Sequence, residues 1–134
     1  MILGFTGTQY GMTPYQASMF VTYIHKFTVD EFHHGMCIGA DELAERLVRK
    51  NFPNVTIHGH PPKISAKKSR TSEPNVIYPP KDYLVRNHDI VDVSHLLIAT
   101  PFTFKEQVRS GTWSTIRYAW QQNVPVYIIT PSPQ

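Results

Sequence analysis

The chain has 134 residues, of which 41% are hydrophobic and 12% aromatic, and its formal net charge is +3. This length fits one domain, residues 1–134, with a single hydrophobic core. No apolar run approaches the roughly 20 residues that span a bilayer, and the first residues lack the pattern of a signal peptide. The single cysteine, Cys37, excludes internal disulfides. We therefore expect a cytoplasmic protein that does not bind membranes.

Short apolar runs alternate with helical periodicities along the chain. Helices are predicted to begin near residues 13, 39, 82 and 110, and strands are predicted at residues 2–6, 31–35, 54–58, 93–99 and 124–130. The last run is almost continuously apolar, which is typical of a parallel sheet covered on both faces. Strands that alternate with helices need crossover connections. The sequence predicts an α/β fold: a Rossmann-like, doubly wound, mostly parallel five-stranded sheet with helices on both faces.

Residues 59–80 interrupt this alternation. They are rich in proline and carry the basic residues Lys63, Lys67, Lys68 and Arg70. A connection this long inside a compact domain is usually a functional lid or a mobile segment. The sequence leaves two interpretations open, a basic lid that closes over an anionic ligand and a solvated, mobile loop.

A Ser-Gly-Thr turn, Ser110 to Thr112, stands where the last helix begins. The start of a helix offers unpaired backbone N–H groups, and together with two hydroxyls they suit an anion, most often phosphate. Serine and threonine are also ordinary helix caps, so the turn alone does not decide between the two roles. Arg109, directly before the turn, adds a guanidinium that can grip phosphate with two donors.

Glycine-containing loops also follow the first and second predicted strands. In a parallel sheet of this kind, ligands bind beyond the carboxyl ends of the strands, where the strand order reverses. Glycines there allow the backbone to approach a ligand closely. We therefore predict a site for a nucleotide or sugar phosphate. Its predicted ligand-binding residues are Gly7, Thr8, Tyr10, Gly35, Asp41, Arg86, Asn87, Arg109, Ser110, Gly111, Thr112 and Trp113.

Individual roles follow from side-chain chemistry. Arg86 can pair with a phosphate, and Asp41 or Asp89 can accept hydrogen bonds from ribose hydroxyls. Trp113 or Tyr10 can stack on a base. The alternative for Arg86 and Asp89 is a solvated, charged helix face.

The histidines raise the question of a metal ion. His33 and His34 are neighbours in a predicted strand and point to opposite faces, so they cannot easily bind one ion. His58 and His60, together with Asp41, are alternative ligands, but the chain contains no HExxH motif and no paired Cys/His set. We expect neither a metal nor a cofactor.

Taken together, several segments resemble the SLOG superfamily, which is named for the Smf DNA-processing proteins and the Lonely-guy enzymes. The chain is most similar to the small bacterial and phage members. The resemblance implies a Rossmann-like fold, a nucleotide-derived ligand and a homo-oligomer. The segments that carry it are residues 4–8, 32–35, 39–41, 58–62, 83–91, 97–101 and 109–113.

The resemblance is less specific for a reaction. Lonely-guy enzymes cleave the bond between a base and ribose 5′-phosphate with a PGGxGTxxE motif. Aligning its Gly-Thr with Gly111 and Thr112 places Thr115 at the glutamate, and threonine is no general acid or base near neutral pH. This departure favours a binding protein over an enzyme, with Asp41 and Asp89 as the candidate catalytic acids for the alternative.

The resemblance leaves three functions to weigh. The first is a sensor or sponge for NAD-derived, ADP-ribose-like signals, which other superfamily branches handle in antiviral defence. The second is an N-glycoside hydrolase or transferase. The third is single-stranded nucleic-acid binding, as in the Smf relatives, and we expect it least because no aromatic residues interleave the basic loop.

Overall fold

The computed structural model describes residues 1–134, apart from the side chain of Ser65. It contains one six-stranded sheet and four α-helices. No helix in the described chain is long and apolar enough to cross a membrane. The elements in chain order are β1 (Ile2–Gly7), α1 (Pro14–His25), β2 (Glu31–His34), α2 (Ala40–Asn51), β3 (Thr56–Gly59), β4 (Val76–Ile77), α3 (Tyr83–Val93), β5 (Leu96–Thr100), α4 (Gly111–Gln121) and β6 (Val126–Ile128).

The sheet is parallel throughout, with the strand order β4-β3-β2-β1-β5-β6. The chain builds outward from β1 through β2, β3 and β4, and then returns through α3 to place β5 on the other side of β1. The strand order therefore reverses between β1 and β5. In doubly wound sheets, the crevice for a ligand opens at such a reversal.

The two faces of the sheet are covered by different helices. Helices α1 and α2 lie on one face, where Phe5, Phe20 and Phe32 pack with ring centroids 5.3 to 6.0 Å apart. Helices α3 and α4 pack against each other on the other face, over β1, β5 and β6. Strand β5 is buried along its whole length, as expected for a strand covered on both sides.

The start of α1 shows how local sequence fixes an element. Thr13 caps the helix by accepting a hydrogen bond from the Gln16 amide, while the Gln16 side chain accepts one from the Thr13 amide. Pro14 occupies the first helical position, where its missing N–H costs nothing. The buried side-chain Nε2 of Gln16 donates to the Pro101 and Ile129 carbonyls. The helix start is thereby fastened to the ends of β5 and β6.

The predicted doubly wound α/β fold is confirmed, with one correction: the sheet has six strands and not five. The additional strand, β4, lies inside residues 59–80, which were predicted to be a patternless loop. It is two residues long and pairs with β3 at the sheet edge. A run this short between prolines leaves no periodicity to detect. The same segment also contains a short 3-10 turn, Ser65–Lys67.

Candidate functional site

A cavity of about 280 Å³ lies at the carboxyl ends of β1 and β2, beside the first turn of α4. The cavity is therefore next to the point where the strand order reverses, between β1 and β5. Of the twelve residues predicted to form a ligand site, all but one line it. Those eleven are Gly7, Thr8, Tyr10, Gly35, Asp41, Arg86, Asn87, Arg109, Ser110, Gly111 and Thr112.

The first turn of α4 presents backbone donors to the cavity. Ser110 is the cap, and its hydroxyl accepts a hydrogen bond from the Trp113 amide. The Ser110 amide donates to Gln107, and the Ser114 amide donates to the Ser110 carbonyl. Of the three amides between them, that of Trp113 is taken by the Ser110 hydroxyl, and those of Gly111 and Thr112 have no acceptor within the helix. They are therefore available to a ligand or to water.

Two exposed cations, Arg109 and Lys67, also line the cavity. Arg109 precedes the cap of α4, whereas Lys67 comes from the connection between β3 and β4. That connection is fixed against the second strand's loop, because the Ile38 amide donates to the Lys67 carbonyl over 2.8 Å and the Ser69 amide donates to the Met36 carbonyl over 2.8 Å. A basic side chain from the long loop thus reaches the cavity.

The loop after β1 supplies a second wall. The Thr8 amide donates to the Thr100 carbonyl, and the Thr8 carbonyl accepts from the Ala40 amide, so this loop joins β5 to the start of α2. A Cβ on Gly7 would lie 2.5 Å from both Ala40 Cβ and Thr100 Oγ1, so only glycine fits. The buried Thr100 hydroxyl has no hydrogen-bond partner among the described residues.

The floor is organised by Arg86, which is only 3% exposed. Its guanidinium donates to the Gly35 and His60 carbonyls and to the Asn87 side chain, and it lies 4.7 Å from the centre of the Tyr83 ring. A Cβ on Gly35 would overlap it. Arg86 is therefore a buried organising residue that borders the cavity. Its Nε and Nη1 groups are engaged, and its Nη2 contacts only the Cys37 sulfur at 3.7 Å. Its burial rules out the alternative of a solvated helix face.

Asp41 is the acidic group on this floor. It is 6% exposed, and its carboxylate accepts a hydrogen bond from the Cys37 amide. Burial raises the pKa of Asp41 above its ordinary value, although His34 and Arg86 oppose the shift. A carboxyl group with a raised pKa can accept hydrogen bonds when ionised and can donate a proton when it is not.

Sequence reasoning did not assign Cys37 and Tyr83 to the site, yet both line the cavity. The Cys37 sulfur lies 3.4 Å from the Tyr83 hydroxyl. Burial raises the pKa of Cys37, and the neighbouring Asp41 adds to the effect. Burial likewise raises the pKa of Tyr83. Both groups are neutral near pH 7, so Cys37 is not an activated nucleophile.

Three of the singled-out residues lie away from this cavity. Trp113 is 5% exposed, and its indole N–H donates to the Thr103 hydroxyl. Its ring packs with Ala99 and Ile116 and is therefore core. Asp89 forms an ion pair with Lys81 over 2.6 Å and lines a different cavity with His60 and Tyr78. Thr115, at the position of the Lonely-guy glutamate, is 2% exposed and donates to the Gly111 carbonyl.

The aromatic group at the rim is Tyr10. It is 71% exposed, and its ring packs against the exposed ring of Phe102 with centroids 5.0 Å apart. Two exposed rings at the edge of a polar cavity form an aromatic surface on which a planar group can stack. The side chain of Tyr10 lines the cavity, whereas that of Trp113 does not.

No family model and no curated protein sequence matches the chain. Among solved structures, it is similar to the molybdenum cofactor binding protein from the phototrophic bacterium Rippkaea orientalis, with a TM-score of 0.70 and 19% identity over 98% of this chain and 77% of that one. It is also similar to the X-ray structure of TM1055, with a TM-score of 0.66 and 17% identity over 93% of this chain and 71% of that one. At these identities, the comparisons establish a shared Rossmann-like α/β fold.

Proposed function

We propose that the protein binds an anionic, nucleotide-like small molecule in the cavity beside α4. The observation that carries this proposal is that the Gly111 and Thr112 amides, Arg109 and Lys67 all line one cavity. Partly positive helix amides and two cations favour a phosphate or pyrophosphate group there.

The remaining lining suits the rest of such a ligand. Asp41 and Asn87 lie on the floor and offer polar atoms to ribose hydroxyls, and the pair of Tyr10 and Phe102 offers a stacking surface to a base. The volume of about 280 Å³ is near the lower end of the range for ligand pockets, about 300–1,000 Å³. A mononucleotide or the ribose-phosphate part of ADP-ribose fits this description best. The structurally similar protein from Rippkaea orientalis is a molybdenum cofactor binding protein, so a protein of this fold can bind a small molecule.

The resemblance to the SLOG superfamily extends the proposal. In this form of the hypothesis, the ligand is an NAD-derived, ADP-ribose-like signal, and a homo-oligomer of the chain senses or sequesters it. The buried, hydrogen-bonded Thr115 supplies no catalytic carboxylate, which favours a binding role over turnover.

The test is direct binding with a matched pair of variants. AMP, NAD, ADP-ribose and cyclic ADP-ribose are titrated against the wild-type protein, Arg109→Ala and the control Arg46→Ala, whose arginine is exposed on α2 away from the cavity. Losing a hydrogen bond to a charged group costs about 1.5–3 kcal/mol, or about tenfold to hundredfold in affinity. We expect this loss for Arg109→Ala only. Equal affinities in all three proteins would show that the site is wrongly placed.

A second candidate function is hydrolysis or transfer at the N-glycosidic bond, with Asp41 as general acid. The observation that favours it is the burial of Asp41 in the cavity, which raises its pKa towards the range of a catalytic acid. After incubation, the bound ligand is released by denaturation and identified by mass. Free base and sugar phosphate in the wild type, but not in Asp41→Asn, would establish the enzyme. Intact ligand from both proteins would leave the binding role.

A further inference from the structure

A second polar cluster lies on β2 and β3, outside the cavity already described. The parallel register pairs His33 with His58, and their rings stack with centroids 4.3 Å apart. Glu31 lies two residues before His33 and therefore shares its face of the sheet. The cluster is on the same face of the sheet as α3 and α4. Those helices pack over β1, β5 and β6, whereas the cluster lies further along the sheet, on β2 and β3.

Two imidazole nitrogens converge on one carboxylate oxygen. Glu31 Oε1 lies 2.9 Å from His33 Nε2 and 3.3 Å from His58 Nε2. One ligand atom from each residue lies within 4.8 Å of the other two. Two atoms that each ligate one zinc ion at about 2.0–2.2 Å are about 3.3–3.6 Å apart in tetrahedral geometry. The two distances from Glu31 are close to this range, and a tilt of the stacked imidazole rings would direct both Nε2 lone pairs at one ion.

The outer nitrogens of both rings are also engaged. His33 Nδ1 lies 2.8 Å from His60 Nε2, and His58 Nδ1 lies 2.9 Å from the Tyr78 hydroxyl. A histidine that ligates a metal commonly donates its other ring N–H to such a partner, which fixes the tautomer and the ring orientation. With the His33 proton on Nδ1 and donated to His60, the Nε2 lone pair is free for an ion. The same holds for His58 with Tyr78.

We propose that Glu31, His33 and His58 form a binding site for a divalent metal ion of the zinc class, with Tyr78 and His60 orienting the two imidazoles. Two imidazoles and a carboxylate form a ligand set suited to zinc and iron(II), and three protein ligands leave at least one coordination position for water. Glu31 has 38% of its side chain exposed and the two histidines 2% and 12%, so the ion would enter from the Glu31 side. This site does not depend on the proposed function of the other cavity.

The neighbouring buried histidine, His34, also pairs with a glutamate, but that pair is not arranged to bind an ion. His34 points to the opposite face and bonds to the buried Glu45, whose other partners include Ser72 and Arg49. That carboxylate is fully used in holding the loop. Glu31, in contrast, faces the two ring nitrogens and the solvent, which leaves room for an ion at the surface.

The experiment adds Zn²⁺ or Co²⁺ to chelator-treated protein and measures stoichiometry by calorimetry and by the visible absorption of Co²⁺. The variants are Glu31→Gln, His58→Gln and Tyr78→Phe, and the control is His88→Gln, whose histidine lies on α3 and stacks on Tyr118 of α4. We expect one ion per chain in the wild type and the control, a loss of that binding in the first two variants, and about tenfold weaker binding in Tyr78→Phe.

Several outcomes would overturn the proposal. They are no binding to the wild-type protein, unchanged binding in the Glu31 and His58 variants, and a thiolate charge-transfer band that identifies Cys37 as the ligand. If Glu31→Gln and His58→Gln fail to fold by circular dichroism, Tyr78→Phe decides, because it keeps the stacked ring. Unchanged affinity in folded Tyr78→Phe would then refute the site.

Discussion

Glu45 offers a prediction whose size can be worked out from the structure. Its side chain is 1% exposed and accepts hydrogen bonds from His34 and Ser72 and from the Glu73 amide, as well as from Arg49, over 2.6 to 2.8 Å. It therefore ties α2 and β2 to the segment between β3 and β4, which also carries Lys67. Replacing Glu45 with glutamine keeps the shape and removes the charge.

The magnitude follows from the pKa. Burial alone would raise the pKa of Glu45, but hydrogen bonds from His34, Ser72 and the Glu73 amide outweigh it and lower the pKa from 4.5 to about 2. At about 1.4 kcal/mol per unit, the ionised form adds about 3 kcal/mol to the free energy of unfolding near pH 7. Because the folded-state pKa is the lower one, this stability is present above pH 4.5 and is lost as the pH falls towards 2.

The assay is urea unfolding of the wild type, Glu45→Gln and Glu42→Gln at pH 7 and at pH 3. Glu42 lies on the same helix and serves as the control. We expect Glu45→Gln to be less stable than the wild type by about 3 kcal/mol at pH 7 and by about 1 kcal/mol at pH 3, because most of the linkage is lost by then. A difference that stays constant between the two pH values would refute the reasoning.

Three further variants and reactions test the cavity and its surroundings. Gly35→Ala should lower the free energy of unfolding by about 1–3 kcal/mol, measured in urea, because the new Cβ would lie 2.7 Å from Arg86 Cζ; unchanged stability would contradict that contact. Trp113→Phe should lower the melting temperature but leave ADP-ribose affinity unchanged, and the reverse pattern would make Trp113 a ligand contact. Cys37 in the folded protein should react with iodoacetamide at pH 8 more slowly than in urea, because burial raises its pKa; equal rates by mass spectrometry would argue against it.

The fold was predictable because its signals are local. Thr13 and Pro14 mark a helix start, and the apolar run from Val124 to Thr130 marks a strand, although β6 lies at the sheet edge and is only partly buried rather than covered on both faces. Alternation of such elements then restricts the topology to a few arrangements. The edge strand β4 was missed because it has only two residues and its position beside β3 depends on a long-range contact. The side chain of Asn75, directly before β4, accepts a hydrogen bond from the Ile57 amide of β3. No periodicity in sequence records that contact.

The cavity was predictable in outline for the same reason, since the carboxyl ends of parallel strands converge. The state of Arg86 was not predictable. Its burial depends on carbonyls of Gly35 and His60, which lie 51 and 26 residues away in sequence. Charge patterning along a helix identifies Arg86 and Asp89 as polar, but it cannot show that one is buried beneath the cavity while the other faces Lys81.

The histidine cluster shows the same limit for the metal question. Comparing His33 with its neighbour His34 correctly separates them onto opposite faces. The relevant partners are instead Glu31, two residues earlier, and His58, across the strand pair. The first relation is readable from the two-residue period of a strand. The second requires the β2–β3 register, which no single-sequence pattern specifies.

The cavity combines a buried floor with exposed cations, and this division constrains how a ligand would bind. Arg86, Asp41 and Gly35 are buried and hold each other in place, so the floor is preorganised. Arg109 and Lys67 are exposed, and fixing each costs about 0.5–1.5 kcal/mol of side-chain entropy. A phosphate group repays that cost through charge-assisted hydrogen bonds of about 1.5–3 kcal/mol, whereas a neutral hydroxyl repays much less. The phosphate of the proposed ligand therefore belongs at α4 and its sugar on the floor, and a nucleoside without phosphate should bind weakly.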